Sequence, residues 1–562
     1  MFKKKGYYLI LLLSLISIAL IGYSLFVENS KKPHDDYLFT VSIRIENQEI
    51  TIYPYQKENN YYFFLPPYAQ NKDTYIIKNK KHDISLNDIE LASKNEISNF
   101  DENIMYKITD NNENVGTLSI MYGSEIPTLY IETNSRNIDE LKNNIYKKDS
   151  ASLFVIDNGS VNYKNSIEFI TGRGNHSWSL AKKGWSLKLF EDASLLNMKK
   201  DDQWVLTSNM FDDTLGLRNY VAYNMASALE LEGTSDFRFV DVYIDNLYQG
   251  TYILFEKIGQ SKEKLDIGDL DLLNDKSNKT IELNKLKLSQ TFNILPDYPD
   301  ESYREFNSPE NISGGYIIER NIIYKTADKE HLFTTSNGET FVIRYPSYVN
   351  KEELDYIKNI VECVERAIHA DDFIDPETHK SLDELIDIDS FVLKYLVDEV
   401  TKNEGAAATS AYYYKKQNDD KLYAGPVWDY DKSLGRVSKW VSPEGLSNGM
   451  LYTTGTPSDW YQRLYDNPEV NILIKKYYKE KIKPYLSSIK ESLIDEQAEI
   501  IKDSFIMNNI VWGEEFYKEE YRLPSDLIER VGDLDYSIDY LKKWLKDREE
   551  FLDREWSIND EN

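Results

Sequence analysis

An uncharged segment near the N-terminus constrains this chain more than any other feature. Residues 6–27 carry no charge and are dominated by Leu, Ile and aromatic side chains, and Lys3, Lys4 and Lys5 precede them. At about 1.5 Å per residue, a helix of this length covers about 33 Å, which is enough for the hydrocarbon core of a bilayer. The lysines predict a cytoplasmic N-terminus. We therefore expect residues 1–27 to form a single-pass signal anchor, with the rest of the chain outside the cytoplasm.

A cleaved signal peptide is the alternative for this segment. The apolar run is longer than a usual signal-peptide core, and residues 22–26 offer no clear small-x-small cleavage site. The sequence therefore favours an anchor that stays attached, followed by a polar, proline-containing linker at residues 28–36.

The charge balance excludes one large class of partners. The 562 residues include 66 Lys or Arg and 95 Asp or Glu, which gives a net charge of −29. Nucleic-acid affinity comes largely from basic side chains that displace counterions, so we expect no nucleic-acid partner. The single cysteine, Cys363, excludes an internal disulfide framework, and six scattered histidines leave no Cys/His cluster at zinc spacing.

Hydrophobic patterning divides the exterior part into three stretches. Residues 37–125 contain alternating runs separated by turn-forming residues, as at residues 40–45, and predict a small antiparallel β-module. Residues 126–436 mix strand and helix patterns, and residues 437–562 read mainly as helix. The sequence thus predicts an α+β chain with a sandwich-like β-module before the main domain.

A loop at residues 171–178 joins two predicted strands and suits an anion. Glycines free backbone amides, and Arg and Ser beside them are typical ligands of an anionic oxygen. A tight hairpin whose glycines serve only positive φ is the alternative. The next strand, residues 185–190, points Lys188 to the face opposite Trp185, where it could be a phosphate ligand or a solvated surface lysine. The loop residues concerned are Gly172, Arg173, Gly174, Asn175, His176 and Ser177.

Two aspartates near residue 430 form the second candidate site. Asp429 and Asp431 follow a Gly-Pro break and are flanked by Trp428 and Tyr430. Carboxylates at i and i+2 of an extended segment face the same way, which suits a divalent cation. The same spacing recurs at three other places in this acidic chain, so the pair alone is a weak signal.

Five segments follow one another along the chain: residues 172–178 with Lys182 and Lys183, residues 213–219, residues 248–257, residues 314–319 and residues 422–431. In this order they resemble the CotH family, the atypical protein-kinase-like group that includes spore coat protein H. The resemblance covers residue 126 to at least residue 436, and residues 437–562 look like the helical extension of bacterial members. It implies a bilobal kinase-like fold.

The resemblance also implies a chemistry. ATP and Mg²⁺ or Mn²⁺ would be the cofactors, and the γ-phosphoryl group would pass to Ser or Thr of a surface or spore-coat protein. Asp429 and Asp431 would be catalytic residues that hold the metal. The implied ATP-binding residues are Arg173, Gly174, Asn175, Ser177, Lys183 or Lys188 as the phosphate lysine, and Glu256 near the link between the lobes.

One departure from the family pattern concerns the catalytic loop. The family carries Asn-x-Asp there, whereas this chain reads Asn403-Glu404-Gly405, with glycine at the position of the expected base. Asn403 and Glu404 are the nearest catalytic candidates, but a shift of one residue on an extended loop points Glu404 elsewhere. Ser410 stands where kinases often have a metal-binding Asn. General-base help is worth about 10²–10⁴-fold, so its loss predicts a weakened enzyme or a pseudokinase.

Three functions are therefore compatible with the sequence. The first is a membrane-anchored, exterior-facing CotH-like phosphotransferase. The second is a nucleotide-binding or inactive pseudokinase that serves as a scaffold for coat or surface assembly. The third is a metal-dependent glycan-active enzyme that uses Asp429 and Asp431. ATP is scarce outside the cytoplasm, and the space around a developing forespore or its spore coat would resolve that difficulty for the first function.

Overall fold

The computed structural model describes residues 37–558 except residues 175, 293–298, 322–329, 404, 407–408, 439–446, 452–458, 519–520 and 523–531. The predicted signal anchor and the linker at residues 28–36 lie outside the described residues. Within the described ranges, no helix has both the length and the apolar character needed to cross a membrane. The chain forms two compact units. The first contains the described residues up to Leu65 together with Ala69–Met121, and the second contains Pro66–Tyr68 and the residues from Tyr122 onward.

The first unit is built from β-strands. The alternation predicted at residues 40–45 falls in the first strand, where Phe39, Val41, Ile43 and Ile45 are buried. The strands form a four-stranded sheet in the order β2-β1-β5-β8 and a six-stranded sheet in the order β3-β4-β10-β9-β6-β7. They are β1 Phe39–Ile45, β2 Gln48–Ile52, β3 Tyr55–Lys57, β4 Asn60–Leu65, β5 Asp73–Lys78, β6 Ile84–Leu86, β7 Ile89–Glu90, β8 Lys94–Glu96, β9 Tyr106–Asp110 and β10 Glu113–Tyr122.

The second unit begins with a closed barrel of seven strands in the order β11-β12-β13-β14-β15-β17-β16. Its interior is apolar, because alternate residues such as Trp185, Leu187 and Leu189 point inward and are buried. Residues 174–183 form the loop that connects the antiparallel strands β13 and β14 at one end of the barrel. The strands are β11 Thr128–Thr133, β12 Lys148–Asp157, β13 Ser160–Arg173, β14 Gly184–Ala193, β15 Asp201–Thr207, β16 Phe237–Ile244 and β17 Leu247–Glu256.

A second sheet of seven strands follows, in the order β18-β19-β21-β22-β20-β23-β24. Its central strands β22, β20 and β23 carry buried residues almost throughout. The strands are β18 Leu288–Thr291, β19 Glu301–Arg304, β20 Tyr316–Arg320, β21 Leu332–Thr334, β22 Thr340–Tyr345, β23 Ala411–Lys415 and β24 Leu422–Ala424; a small pair, β25 Val437–Ser438 and β26 Tyr521–Arg522, lies outside it.

Helices of the second unit share a hydrophobic core with barrel strands and the second sheet. The last helix contributes Leu541 and Trp544, and its buried Arg548 pairs with Glu399. The helices are α1 Ile138–Asn143, α2 Leu217–Ala228, α3 Leu270–Ser277, α4 Lys351–His369, α5 Leu382–Leu385, α6 Ile388–Thr401, α7 Trp460–Asp466, α8 Pro468–Tyr477, α9 Lys483–Ser488, α10 Ile494–Lys518 and α11 Leu534–Glu555, with π-helical turns at Tyr478–Ile482 and Ile489–Leu493. The predicted α+β fold class is confirmed.

Candidate active-site cleft

A cleft of about 640 Å³ lies between one edge of the barrel and the second sheet. The barrel edge contributes the end of β13, the loop after it and the residue that follows β17. The opposite wall consists of β20, β22, the start of β23 and the loop after β24. Among the lining residues are Arg173, Gly174, His176, Ser177, Lys257, Glu319, Arg344, Ser410, Tyr412, Trp428, Asp429, Asp431 and Lys432.

The two predicted metal ligands both line this cleft, with the side chain between them buried. Tyr430 is fully buried; its hydroxyl donates to Asp398 Oδ1 over 2.5 Å, and its backbone N–H donates to Asn219 Oδ1 over 2.9 Å. Burial, followed by the negative charge of Asp429, raises the pKa of Asp431 well above its ordinary value. Two carboxylates on one cleft form a donor set that fits a divalent cation.

Ser410 connects Asp429 to the second sheet. Its hydroxyl donates to Asp429 Oδ2 over 3.1 Å, and its backbone N–H donates to Glu319 Oε1 over 3.2 Å. Glu319 also pairs with Arg344 from the neighbouring strand. Ser410 and Asp429 both adopt positive φ, of 57° and 68°. Such conformations are uncommon for side-chain-bearing residues and are found at functional sites, where surrounding contacts maintain them.

The loop after α6 has no carboxylate at the position where the family pattern predicts one, which Gly405 occupies. Glu404 lies outside the described residues. Asn403 is buried at 2% exposure; its Oδ1 accepts the backbone N–H of Gly405 over 3.1 Å, which closes a local turn. Asn403 is not among the residues that line the cleft. A Cβ at Gly405 would meet no atom closer than 3.5 Å, so the backbone does not itself require glycine there.

The predicted anion loop places Arg173 and Gly174 at the cleft. The Arg173 guanidinium lies 4.9 Å from the centre of the Trp428 ring, a cation–π contact that joins the two walls. Gly174 has a φ of 114°, and a Cβ there would lie 2.2 Å from Ser177 Oγ, so this turn requires glycine. Ser177 lines the cleft, and Asn175 lies outside the described residues.

The other three predicted ATP-binding residues do not line the cleft. Lys183 Nζ donates to the carbonyls of Trp178 and Leu180 over 2.7 and 2.6 Å. Lys188 pairs with Asp202. Glu256 is buried and accepts the backbone N–H of Lys199 over 2.6 Å. The roles that the resemblance implies for these three residues stay predictions.

Several cleft residues escaped sequence reasoning. Lys257 closes one of the five family-like segments, directly after Glu256, but no motif gives it a role. Arg344 belongs to no motif, and Glu319 ends a segment without a chemical signature. The order of strands β22, β20 and β23 brings Arg344, Glu319 and Tyr412 together, and Tyr412 lies directly opposite Glu319. A list of charged residues that follow predicted strands would have included Lys257.

This α+β fold presents an arginine-bearing edge and a carboxylate pair to one cleft, and so defines a protein able to hold an anion and a metal side by side. The family model described as CotH kinase protein matches residues 170–552, more than half of the chain. The chain belongs to the CotH family, and the predicted resemblance is confirmed. This membership points to ATP and a divalent metal as general cofactors, and to protein substrates. A search of curated proteins finds no match.

Proposed function

We propose that this protein is a CotH-like phosphotransferase that moves the γ-phosphoryl group of ATP to a Ser or Thr hydroxyl of a surface or spore-coat protein. The observation that carries the proposal is that Arg173 faces the same cleft as Asp429 and Asp431. Phosphoryl transfer depends mainly on positioning and on neutralisation of charge. A cation on one wall and two carboxylates on the other supply those two requirements.

Each group has a distinct task in this proposal. Asp429 and Asp431 would hold Mg²⁺ or Mn²⁺, which neutralises phosphate charge when bound. Ser410 holds the Asp429 carboxylate in place through its hydrogen bond. Arg173 and the turn at Gly174 would bind phosphate oxygens, because a guanidinium offers several fixed donors and a glycine turn exposes backbone amides.

Proton removal from the acceptor hydroxyl is the step for which this chain lacks the usual general base. Gly405 offers no side chain, and Asn403 is occupied by its backbone contact. Glu404 is the nearest carboxylate in the sequence and stays the proposed substitute base. General-base help is typically worth about 10²–10⁴-fold, so we expect transfer that is slow but measurable.

A nucleotide-binding pseudokinase scaffold is the second candidate, and the same Gly405 favours it. Family membership favours either kinase-like function over a glycan-active enzyme. In both cases we propose that residues 1–27 anchor the chain in a membrane, with residues 37–125 and 126–436 as β-module and kinase-like domain outside the cytoplasm. Residues 437–562 would extend that domain.

Transfer from labelled ATP tests the function. The purified full chain, with Mg²⁺ or Mn²⁺, should label itself or a coat-protein extract on Ser or Thr. Asp429→Ala should abolish labelling, whereas Asp535→Ala, in another Asp-x-Asp pair on an exposed helix position, should not. Absence of labelling by the parent protein, or equal labelling by Asp429→Ala, would refute the phosphotransferase proposal.

A further inference from the structure

Lys257 is a cation of the cleft that neither the sequence pattern nor the family match assigns. It follows the last residue of β17 and lines the cleft together with Arg173 and Arg344. Its Nζ donates to the side-chain oxygen of Gln203 over 2.6 Å. An amide oxygen is a neutral partner, so this contact leaves the charge of the lysine uncompensated.

The charges around Lys257 leave room for an anion. Arg344 is paired with two carboxylates, Glu319 and Glu330. Lys264, which donates to the Lys257 carbonyl over 3.0 Å, is paired with Asp201. Within the described ranges, neither Arg173 nor Lys257 forms a salt bridge. Arg173 and Lys257 are therefore two cations on the barrel side of the cleft that form no salt bridge among the described residues. Lys148 also lines the cleft, but its ammonium lies over the Phe169 ring, 3.8 Å from the ring centre.

The pKa of Lys257 is consistent with this charge imbalance. Lys257 is exposed to solvent and lines the cleft. Desolvation there, together with the positive charges of Arg173, Arg344 and Lys264, lowers its pKa to about 8, and Asp201 opposes the shift. An anion bound beside the lysine would favour its protonated form, so binding and protonation would support each other.

The lysines that the resemblance suggests for phosphate are already engaged. Lys183 donates to two backbone carbonyls within its own loop, and Lys188 pairs with Asp202. A phosphate ligand at either position would have to break those contacts first. Lys257 would give up only one neutral hydrogen bond.

We propose that Lys257 and Arg173 form the anion-binding pair of this cleft, with Lys257 as the lysine that contacts the phosphate chain. The inference rests on the proposed function for the identity of the anion, a di- or triphosphate held against a metal at Asp429 and Asp431. Lysine serves such a chain as a point charge and arginine as a forked donor, so the two cations have complementary roles.

Calorimetric titration of the full chain with MgATP, and separately with magnesium pyrophosphate, tests this assignment. Lys257→Met should weaken both ligands at least tenfold, and Lys257→Arg should keep most of the affinity. Lys183→Met and Lys188→Met serve as matched controls and should stay within about threefold of the parent. Unfolding temperatures of the unliganded variants show whether each one is folded.

The outcomes separate this inference from the proposed function. Affinity that survives Lys257→Met in a folded variant, or that falls instead with Lys183→Met or Lys188→Met, overturns the assignment while nucleotide binding stands. Pyrophosphate binding that depends on Lys257 without any ATP binding supports the anion pair and refutes the kinase-like function. A parent protein that binds neither ligand overturns both.

Discussion

The hydroxyl of Ser410 donates a hydrogen bond to Oδ2 of Asp429 over 3.1 Å, and both residues hold positive φ angles. The contact joins the loop before β23 to the loop after β24, two segments that the sheet brings side by side. It fixes one oxygen of the Asp429 carboxylate. The serine that replaces the expected asparagine therefore positions Asp429, one of the two proposed metal ligands.

Removal of this hydroxyl should weaken metal-dependent nucleotide binding. A hydrogen bond to a charged group contributes about 1.5 kcal/mol or more, so Ser410→Ala should reduce affinity for MgATP by about tenfold. Ser410→Asn, which offers an amide donor and a carbonyl oxygen, should retain or improve it. Thr409→Ala, a neighbouring change in the cleft wall, is the control, and an equal loss there would mean that the loop as a whole is responsible.

Restoration of the missing base should raise catalytic rate. The space around Gly405 admits a Cβ at ordinary contact distance, so Gly405→Asp should fold like the parent. If the cleft is otherwise competent, single-turnover transfer from labelled ATP should increase by about 10²–10⁴-fold. Gly405→Asn has nearly the same shape and no basic carboxylate, and should give no gain. Nucleotide binding without a gain in either variant would favour the scaffold function.

The buried tyrosine between the two aspartates should be needed for metal binding as well as for stability. Tyr430→Phe removes a hydrogen bond to Asp398 and should cost about 1–3 kcal/mol of unfolding free energy. Tyr461 also donates to Asp398 but lies on α7, outside residues 429–431. Tyr461→Phe should therefore reduce stability alone, whereas Tyr430→Phe should also raise the Mg²⁺ concentration needed for ATP binding. Equal metal dependence in the two variants would contradict this role.

Glu256 should make stability depend on pH. Burial raises its pKa from 4.5 to about 7. Between these values the unfolded chain has released the proton while the folded chain retains it, so stability falls as pH rises from 4.5 to 7. The shift corresponds to about 3 kcal/mol.

Urea unfolding of Glu256→Gln and the parent at several pH values measures this effect. Glutamine resembles the protonated acid, so the free energy of unfolding of the variant should rise relative to that of the parent as the pH increases from 4.5 to 7. Exposed Glu191→Gln is the matched control and should show a constant difference from the parent. A constant difference for Glu256→Gln as well would show that this carboxyl does not contribute.

The sequence predicted the fold class and the family because those depend on local patterns and ordered motifs. It also singled out the two stretches that line the cleft, the loop with Arg173 and the pair Asp429 and Asp431. Their approach to one another could be expected only through the resemblance. No periodicity indicates that the Arg173 guanidinium stacks on Trp428.

The choice among the lysines was beyond sequence reasoning. Alternation indicates the face of the strand on which Lys188 lies. It does not indicate that the Lys188 ammonium forms a salt bridge with Asp202 on the paired strand β15. In the sequence Lys183 looks like a free cation, whereas in the structure its ammonium donates to two carbonyls of its own loop. Lys257 belongs to no chemical motif. Only the folded structure shows that the residue after β17 lines the same cleft as Arg344.

Stabilisation by nucleotide tests the central claim most directly. The free energy of unfolding of the purified full chain should be compared with ATP and Mg²⁺ together, with each alone, and for Asp429→Ala with both. At about 100 times its dissociation constant, a ligand that binds only the folded state adds about 2.7 kcal/mol. We predict this increase only for the parent with ATP and metal together. No increase for the parent, or an equal increase for Asp429→Ala, would contradict the assignment of this cleft as a metal-dependent nucleotide site.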